Sequence, residues 1–306
     1  MPKRTKLLLI FLPFALLAVW FVFNASRVGP LEGCLSGCSI PNIDQGTAIR
    51  FVSLNMLHEF PYFRYLSARV DLIVDELMRL RVDFVCLQEV PWTLASGSIS
   101  YIFAEKLGMN YVYLPANGNR KTIIFSEGET ILSKYPIEDV QYKELPPRAG
   151  FFEHRVALSA RILVPDHEIR LICTHLTNGA SEINLGQVRS LAEFTDKFVE
   201  QTVIVAGDFN ATENLPQIQF LQNKWTDVYR MTHPHDPGHT CCVDEIGIPV
   251  EMLEERIDYI FIAQGYHSRF RVINSKVILD SPYQSGPGWL WASDHAGLYA
   301  EFGLVR

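Results

Sequence analysis

The sequence predicts a layered α/β domain carried behind a short N-terminal attachment. Short apolar runs rich in β-branched and aromatic residues recur along the chain, and most of them close on a carboxylate, amide or imidazole. Such runs read as buried strands. A stretch of helical periodicity lies between the first two of them, whereas the later part of the chain is richer in strands. Helices alternating with strands, then giving way to strands, fit sheets covered by helices rather than a helical bundle or a plain β-sandwich. No repeat at solenoid periods is present.

The attachment comes first. Lys3, Arg4 and Lys6 precede an uncharged apolar run, Leu7 to Phe23, and the polar stretch Asn24 to Pro30 follows it. A bilayer span needs about 20 apolar residues, within a range of about 17 to 25, so the run is long enough. Three cations before it and Arg27 alone soon after it place the N-terminus in the cytoplasm and the rest of the chain outside. A cleaved signal peptide, giving a secreted protein, is the alternative: Ala25 is small, but Phe23 is a poor cleavage determinant. Residues 1–28 are thus expected to be a signal-anchor or transmembrane segment, 29–45 a juxtamembrane linker and 46–306 a single domain, with nothing in the middle that resembles a linker.

Within the domain the first strand is expected over Ile49 to Leu54, ending at Asn55. Leu66 to Leu80 follows as an amphipathic helix, with Val70, Ile73, Val74, Leu77 and Leu80 on one face. The second strand, Val82 to Leu87, ends at Gln88 and Glu89. Further strands are expected over Leu171 to Thr174, ending at His175, and Val203 to Ala206, ending in Gly207-Asp208-Phe209-Asn210. Asn184 to Val199 reads as a second helix between them. Ile257 to Ile262 carries Arg256 and Asp258 at its start, and Ser293-Asp294-His295 precedes an alternating strand, Gly297 to Phe302.

Cys86 and Cys173 lie inside apolar runs and read as buried thiols. Cys34 and Cys38 flank a Gly/Ser-rich segment, and Cys241 and Cys242 are adjacent. A zinc site on those four lacks a C-x2-C pair and a histidine spacing to complete it. A disulfide is permitted outside the cytoplasm, with connectivity open. Hydrophobic residues make up 48% of the chain and charged residues 20%, which is enough for a sizeable core. The formal net charge is -7 and no basic stripe follows Gln45, against the cationic footprint that duplex nucleic acid requires.

Singly, each polar strand end reads as a turn or cap residue. Glu89 could be a surface carboxylate, His175 a satisfied core histidine, and Arg256 with Asp258 a structural ion pair. Together they read differently, because loops at one edge of a sheet bring distant polar groups to one place. Asp208 and Asn210, two apart in an extended segment, would address a single point, and Gly207 would let backbone approach closely. Oxygen donors such as Glu89, Asp208, Asn210 and Asp294 suit a hard cation like Mg2+ rather than zinc or copper.

Taken in order, Ser53-Leu54-Asn55, Leu87-Gln88-Glu89, Thr174-His175-Leu176, Gly207-Asp208-Phe209-Asn210, Arg256-Ile257-Asp258 and Ser293-Asp294-His295 resemble the motifs of the endonuclease/exonuclease/phosphatase superfamily. Ile131-Leu132-Ser133-Lys134-Tyr135-Pro136 and Arg155-Val156-Ala157-Leu158 are similar to its connecting segments. The resemblance implies a four-layer sandwich, two mixed β-sheets face to face with helices outside and the site at one edge. It implies that Glu89 binds Mg2+ or Mn2+, with Asn55 and Asp294 as ligand or second shell. Asp208 would orient or deprotonate the attacking water, and Asn210 would hold the phosphate or the nucleophile. His295, oriented by Asp258, would contact the phosphate, and His175 would stabilise charge or protonate the leaving group. The expected activity is metal-assisted hydrolysis of a phosphoester, a phosphodiester of a lipid headgroup or small molecule being favoured. A nuclease, a phosphomonoesterase and a non-catalytic membrane-associated binding module are the alternatives. Leu57 stands where nuclease members often carry an acidic residue, and His58 to Phe63 offers no obvious DNA-reading loop.

Overall fold

The apolar runs pair into two sheets, seen in a computed structural model that describes residues 13, 15–35, 38, 48–165, 167–179, 181–249, 252–263, 270–285 and 288–304. The chain begins with α1 (residues 15–23), β1 (Glu32–Gly33), β2 (Ala48–Asn55), α2 (Leu66–Leu80) and β3 (Phe84–Thr93). It continues with β4 (Gly97–Ser98), α3 (Ile99–Leu107), β5 (Asn110–Asn119), β6 (Phe125–Ser133), β7 (Ile137–Glu144), β8 (Val156–Val164) and β9 (His167–His175). Then come α4 (Ser181–Thr195), β10 (Thr202–Asp208), α5 (Pro216–Gln222), β11 (Trp225–Asp227), α6 (Val228–Thr232) and β12 (Asp258–Ala263). The last elements are β13 (Phe270–Ile278), the ribbon β14 (Tyr283–Ser285) with β15 (Gly288–Leu290), and β16 (Gly297–Leu304).

One sheet has the order β1-β5-β6-β3-β2-β16-β13, with β4 pairing on β3, and the other runs β11-β12-β10-β9-β8-β7. Both are mixed, because β2 with β3 and β9 with β10 are parallel pairs among antiparallel ones. Side chains alternate across each strand, so Phe51 and Phe84 point between the sheets while Val52 and Val85 point outward. Three large cores result, beside a small cluster of Val243, Ile246 and Trp291. Phe51, Ile131, Leu158, Ile204 and Phe302 fill the space between the sheets. Ile73 and Leu77 of α2 and Phe103 of α3 cover the outer face of the first sheet. Val188 and Leu191 of α4 and Leu221 of α5 cover that of the second. Strands buried on both faces carry unbroken apolar runs, which is why they were legible. Each fully buried large apolar side chain contributes about 1.5–3 kcal/mol.

Helix α2 has the expected bounds and stops at Arg81, whose φ of 52° closes the last turn with its amide on Leu77 O and Met78 O. β3 runs past its expected end: a bulge between Leu87 and Val90 turns Glu89, at φ 56°, out of the ladder, and pairing then resumes. Strands β5 to β8 and β13 had no counterpart in the expected set. Residues 29–34, expected in the linker, add β1 to the sheet edge, with Gly29 N on Pro115 O at 2.8 Å.

Two cysteine expectations change. Cys86 and Cys173 are not free thiols: they form a disulfide that joins β3 to β9 across the inter-sheet core, with Cα atoms 5.6 Å apart. Both side chains alternate inward, so they meet. The other four cysteines pair as Cys34–Cys38 and Cys241–Cys242. Most of the apolar run Leu7 to Phe23 before residue 15 lies outside the described residues. Within α1, Leu16, Leu17, Trp20 and Phe23 are exposed, and among the described residues no helix is long and apolar enough to cross a membrane.

Candidate active site

Strand register assembles the site before any loop contributes. In the second sheet Asp208 is paired with His175 on one side and Asp258 on the other, so three polar residues occupy one rung. In the first sheet Asn55 is paired with Gln88, beside Glu89. Gly207 permits the close approach of β10 to β9: its φ is 150°, and a Cβ there would lie 1.8 Å from Thr174 O.

Asn55 ties the two sheets together, its Nδ2 donating to Glu89 Oε1 at 3.2 Å and to Asp208 Oδ2 at 3.1 Å. The other Glu89 oxygen accepts the His58 amide at 3.1 Å. Asn210 is not extended beside Asp208 but turns at φ 50°, so its amide donates to Asp208 Oδ1 at 2.8 Å and its Nδ2 reaches His175 Nε2 at 3.0 Å. His295 is held through Nδ1 by Asp258 Oδ2 at 2.9 Å and turns Nε2 toward Asp208 Oδ2, 3.8 Å away. Asp294 joins through Ser293, whose Oγ lies 2.6 Å from Asn55 O and 3.1 Å from Asp294 Oδ1. The alternative of an Arg256–Asp258 ion pair is not what forms: Arg256 is bonded to Asp227 at 2.6 Å and Glu213 at 2.9 Å, and Asp258 to His295.

The charges separate by environment. Burial alone would raise Glu89, but His58 and His175, with the His58 amide and Asn55, take its pKa down to about 2. Burial and the neighbouring Asp258 carboxylate push Asp208 up to about 7, against the pull of His295. Burial opposes charge on His295, yet Asp258 and Asp208 hold its pKa well above the usual imidazole range. His175 is held well below that range by burial and then by Arg155. Burial also raises Asp294, helped by Glu89.

Several residues here were not singled out from sequence. Arg69, fully buried on α2, donates to Met56 O at 2.6 Å, Leu57 O at 2.9 Å and Ala292 O at 3.4 Å, fixing the segments that follow Asn55 and precede Asp294. Its signal was a cation next to the apolar face of the helix. His58 lies three residues after Asn55 and had no signal of its own. Glu127 and Glu129 are buried in β6, where burial holds Glu129 well above the carboxylate range and raises Glu127. A cleft of about 250 Å3 opens beside Asn210, lined also by Asn178, Thr212 and Glu255. A cleft of about 470 Å3 between α2 and β13 contains none of the site residues.

The donor set fits a hard divalent cation. Glu89 stays ionised, is 18% exposed, and shares the Asn55 Nδ2 with the Asp208 carboxylate while Asn55 Oδ1 accepts from Leu57 N, so its own carboxylate oxygens are the donors on offer to Mg2+ or Mn2+ there. Such an ion is commonly held by one or two carboxylates, completed by water and substrate oxygens.

The family model described as Endonuclease/Exonuclease/phosphatase family matches residues 52–295. Protein angel of Drosophila melanogaster is 26% identical over 283 residues, which cover 83% of this chain and 76% of that protein. Among solved structures, an endonuclease/exonuclease/phosphatase family protein from Leptotrichia buccalis matches with a TM-score of 0.65 at 17% identity, covering 83% of this chain and 99% of the other. A mannosyl-6-phosphatase from Bacteroides thetaiotaomicron matches with a TM-score of 0.65 at 16% identity and the same coverage, 83% and 99%. At these identities the structural likeness shows the fold alone.

Proposed function

The chain belongs to the endonuclease/exonuclease/phosphatase family, and from that membership we propose that it is a divalent-metal-dependent phosphodiesterase acting on small or membrane-borne phosphoesters outside the cytoplasm. The observation that carries this reading is the split between two bridged carboxylates. Asn55 links Glu89, taken down to about 2, to Asp208, pushed up to about 7. One is a permanent anion for a cation, and the other exchanges a proton near neutral pH.

When bound, a divalent cation held by Glu89, with Asn55 and Asp294 beside it, neutralises phosphoryl charge. The protein's own groups do the rest. Asp208 accepts the proton of the attacking water, positioned by the Asn55 side chain and the Asn210 amide. His295, kept protonated between Asp258 and Asp208, presents Nε2–H to a phosphoryl oxygen. His175 Nε2 accepts from Asn210, so the neutral ring carries its proton on Nδ1, which has no partner among the described residues. Nδ1 is buried, so His175 faces the centre through Nε2, 3.4 Å from Asp208 Oδ2, where it holds Asn210 in place and stabilises charge rather than transferring a full proton.

A diester is favoured over a monoester because the carboxylates Glu89, Asp208, Asp258 and Asp294 crowd the site. A monoanionic diester meets less repulsion there than a dianionic monoester. The compartment is supported by the apolar run behind three cations, and by a disulfide in the middle of the fold that an oxidising environment would preserve. The test is hydrolysis by the full-length protein in Mg2+ or Mn2+ of bis(p-nitrophenyl) phosphate, p-nitrophenyl phosphate, a sphingomyelin-type ester, an inositol phosphate and a DNA duplex. Faster cleavage of the monoester overturns the diester preference, and fastest cleavage of duplex at physiological salt overturns the substrate class.

A further inference from the structure

Outside the oxygen-rich centre, a different donor set converges on the far nitrogen of His295. Cys241 Sγ lies 3.5 Å from His295 Nε2 and Cys242 Sγ 4.0 Å from it. We infer that Cys241, Cys242 and His295 form, once the two cysteines are reduced, a binding site for a thiophilic divalent cation of the zinc class whose occupation shuts the enzyme off.

The separation of Cys241 Sγ from His295 Nε2 is the one a tetrahedral ion imposes, and on reduction the two bonded sulfurs must part to take separate ligand positions. With Zn–S near 2.3 Å and Zn–N near 2.0–2.1 Å, ligand sulfur and nitrogen stand about 3.5 Å apart. All three ligand atoms lie within 4.8 Å of one another. Asp258 holds Nδ1 at 2.9 Å, so Nε2 is the free nitrogen, in the carboxylate–histidine arrangement that orients metal-binding imidazoles. The sulfurs are fixed to the same backbone as the histidine: Val243 N donates to Asp294 O at 3.0 Å and Ala296 N to Thr240 O at 2.7 Å. Cys241 is buried and Cys242 exposed, so a small ion or reductant reaches the pair from solvent. The histidine comes from a segment more than fifty residues away, which is why no local spacing discloses the set. Soft sulfur donors select a different ion from the carboxylate and amide oxygens at Glu89, so the two sites need not compete for one metal.

In the disulfide state the site is closed. One dithiol reductant passes two electrons to the Cys241–Cys242 bond, yielding two thiols and its own cyclic disulfide. The cation then displaces both thiol protons and any proton on Nε2 into solvent. Inhibition, unlike binding, rests on the proposed phosphoesterase reading, because it removes Nε2 from the phosphoryl oxygen.

Full-length protein is treated gently with a dithiol, which reaches exposed Cys242 while Cys86 and Cys173 are fully buried, and the dithiol is then removed. Co2+ is added as a spectroscopic probe and Zn2+ as competitor, with Mg2+ constant. The reduced protein is expected to show a thiolate-to-cobalt charge-transfer band that Zn2+ abolishes, with at least tenfold loss of activity at Zn2+ saturation. Oxidised protein and Cys242→Ser should lack the band and keep their Mg2+-dependent activity in Zn2+. A reduced wild type without the band, or a band unchanged in both Cys241→Ser and Cys242→Ser, overturns the site. A normal band in a protein that hydrolyses no phosphoester overturns the proposed function and leaves the site standing.

Discussion

Exchanging Cys86 and Cys173 together for alanine removes the one covalent tie between the two sheets seen among the described residues. The bond closes a loop of 87 residues in sequence separation. In the chain-entropy account, a cross-link over a loop of that size restricts the unfolded ensemble by about 4.6 kcal/mol at 25 °C. The packing of two fully buried sulfurs is lost in addition. Domains of ordinary stability have about 5–15 kcal/mol in total, so this is a large share. By the same relation the Cys34–Cys38 bond, with a separation of 4, is worth about 2 kcal/mol. Its removal therefore serves as the control. Urea unfolding followed by tryptophan fluorescence should show a midpoint shift of several kcal/mol for the double variant, with a larger denaturant slope because the unfolded chain opens further. Turnover should fall too, since the bond spaces β3 and β9, which carry Glu89 and His175, and Gln88 Nε2 rests on both sulfurs at 2.9 and 3.3 Å. If the double variant and the oxidised parent agree within about 1 kcal/mol, or if reductant under partly denaturing conditions leaves the midpoint unmoved, the sulfurs are not bonded and the reasoning fails.

Glu89→Gln is expected to lower turnover about a hundredfold or more while preserving shape, and activity within a few-fold of the parent with normal Mg2+ dependence would remove Glu89 from the site. Because its folded pKa is depressed from 4.5 to about 2, Glu89 contributes stability that is present above its unfolded value and lost as pH falls through about 2. The neutral variant should therefore unfold more easily at pH 7 without divalent metal, by up to roughly 3 kcal/mol, as read by calorimetry. With Asp208 as the base, raised to about 7 before a cation binds, kcat/KM should fall about tenfold per pH unit below an inflection that moves down as Mg2+ is raised from subsaturating to saturating. An inflection that does not move with Mg2+ would exclude this role. A reporter fused after Arg306 should work in a form active outside the cytoplasm, and a signal from a cytoplasm-only reporter would reverse the topology.

What the sequence disclosed about the site follows from where the information sits. Asn55, His175, Asp208 and Asp258 stand at the ends or starts of runs whose interiors are apolar, and a polar residue at such a boundary is visible locally. Register then carries them to one rung, which no local pattern encodes but which motif order in a known family implies. Polar residues inside an element fare worse. Glu127 and Glu129 interrupt β6, all nine of whose residues are buried, and a strand with two carboxylates in it reads as a loop. Arg69 needs partners from residues 56, 57 and 292, and only the tertiary fold supplies them. The cysteines show the same limit from another side. The compartment argument permitted a disulfide, but pairing Cys86 with Cys173 requires knowing that β3 and β9 face each other across the core.

The surplus of negative charge ties these observations to chemistry. Asp258 and Asp208 share His295, Glu89 is offset by His58 and His175, and burial and mutual repulsion hold Glu129, Glu127 and Asp294 above their ordinary range. A fold tolerates such a cluster when something offsets the cost of burying it. Two devices act within the chain. Asn55 donates to one carboxylate from each sheet, and Asp208 shares the field of His295 with Asp258. Neither neutralises Glu89, whose pKa is taken down to about 2 while those of Asp208, Asp294, Glu127 and Glu129 are raised. Glu89, the group best kept anionic, meets His58 through a backbone amide at 3.1 Å and a ring nitrogen at 3.5 Å, with no Lys or Arg bonded to it among the described residues. An arrangement that preserves charge on Glu89 and raises the pKa of Asp208, Asp294, Glu127 and Glu129 has its balance restored by a divalent cation at Glu89. The same cation would draw Asp208 downward in pKa, so that at neutral pH the base is unprotonated when the metal site is filled.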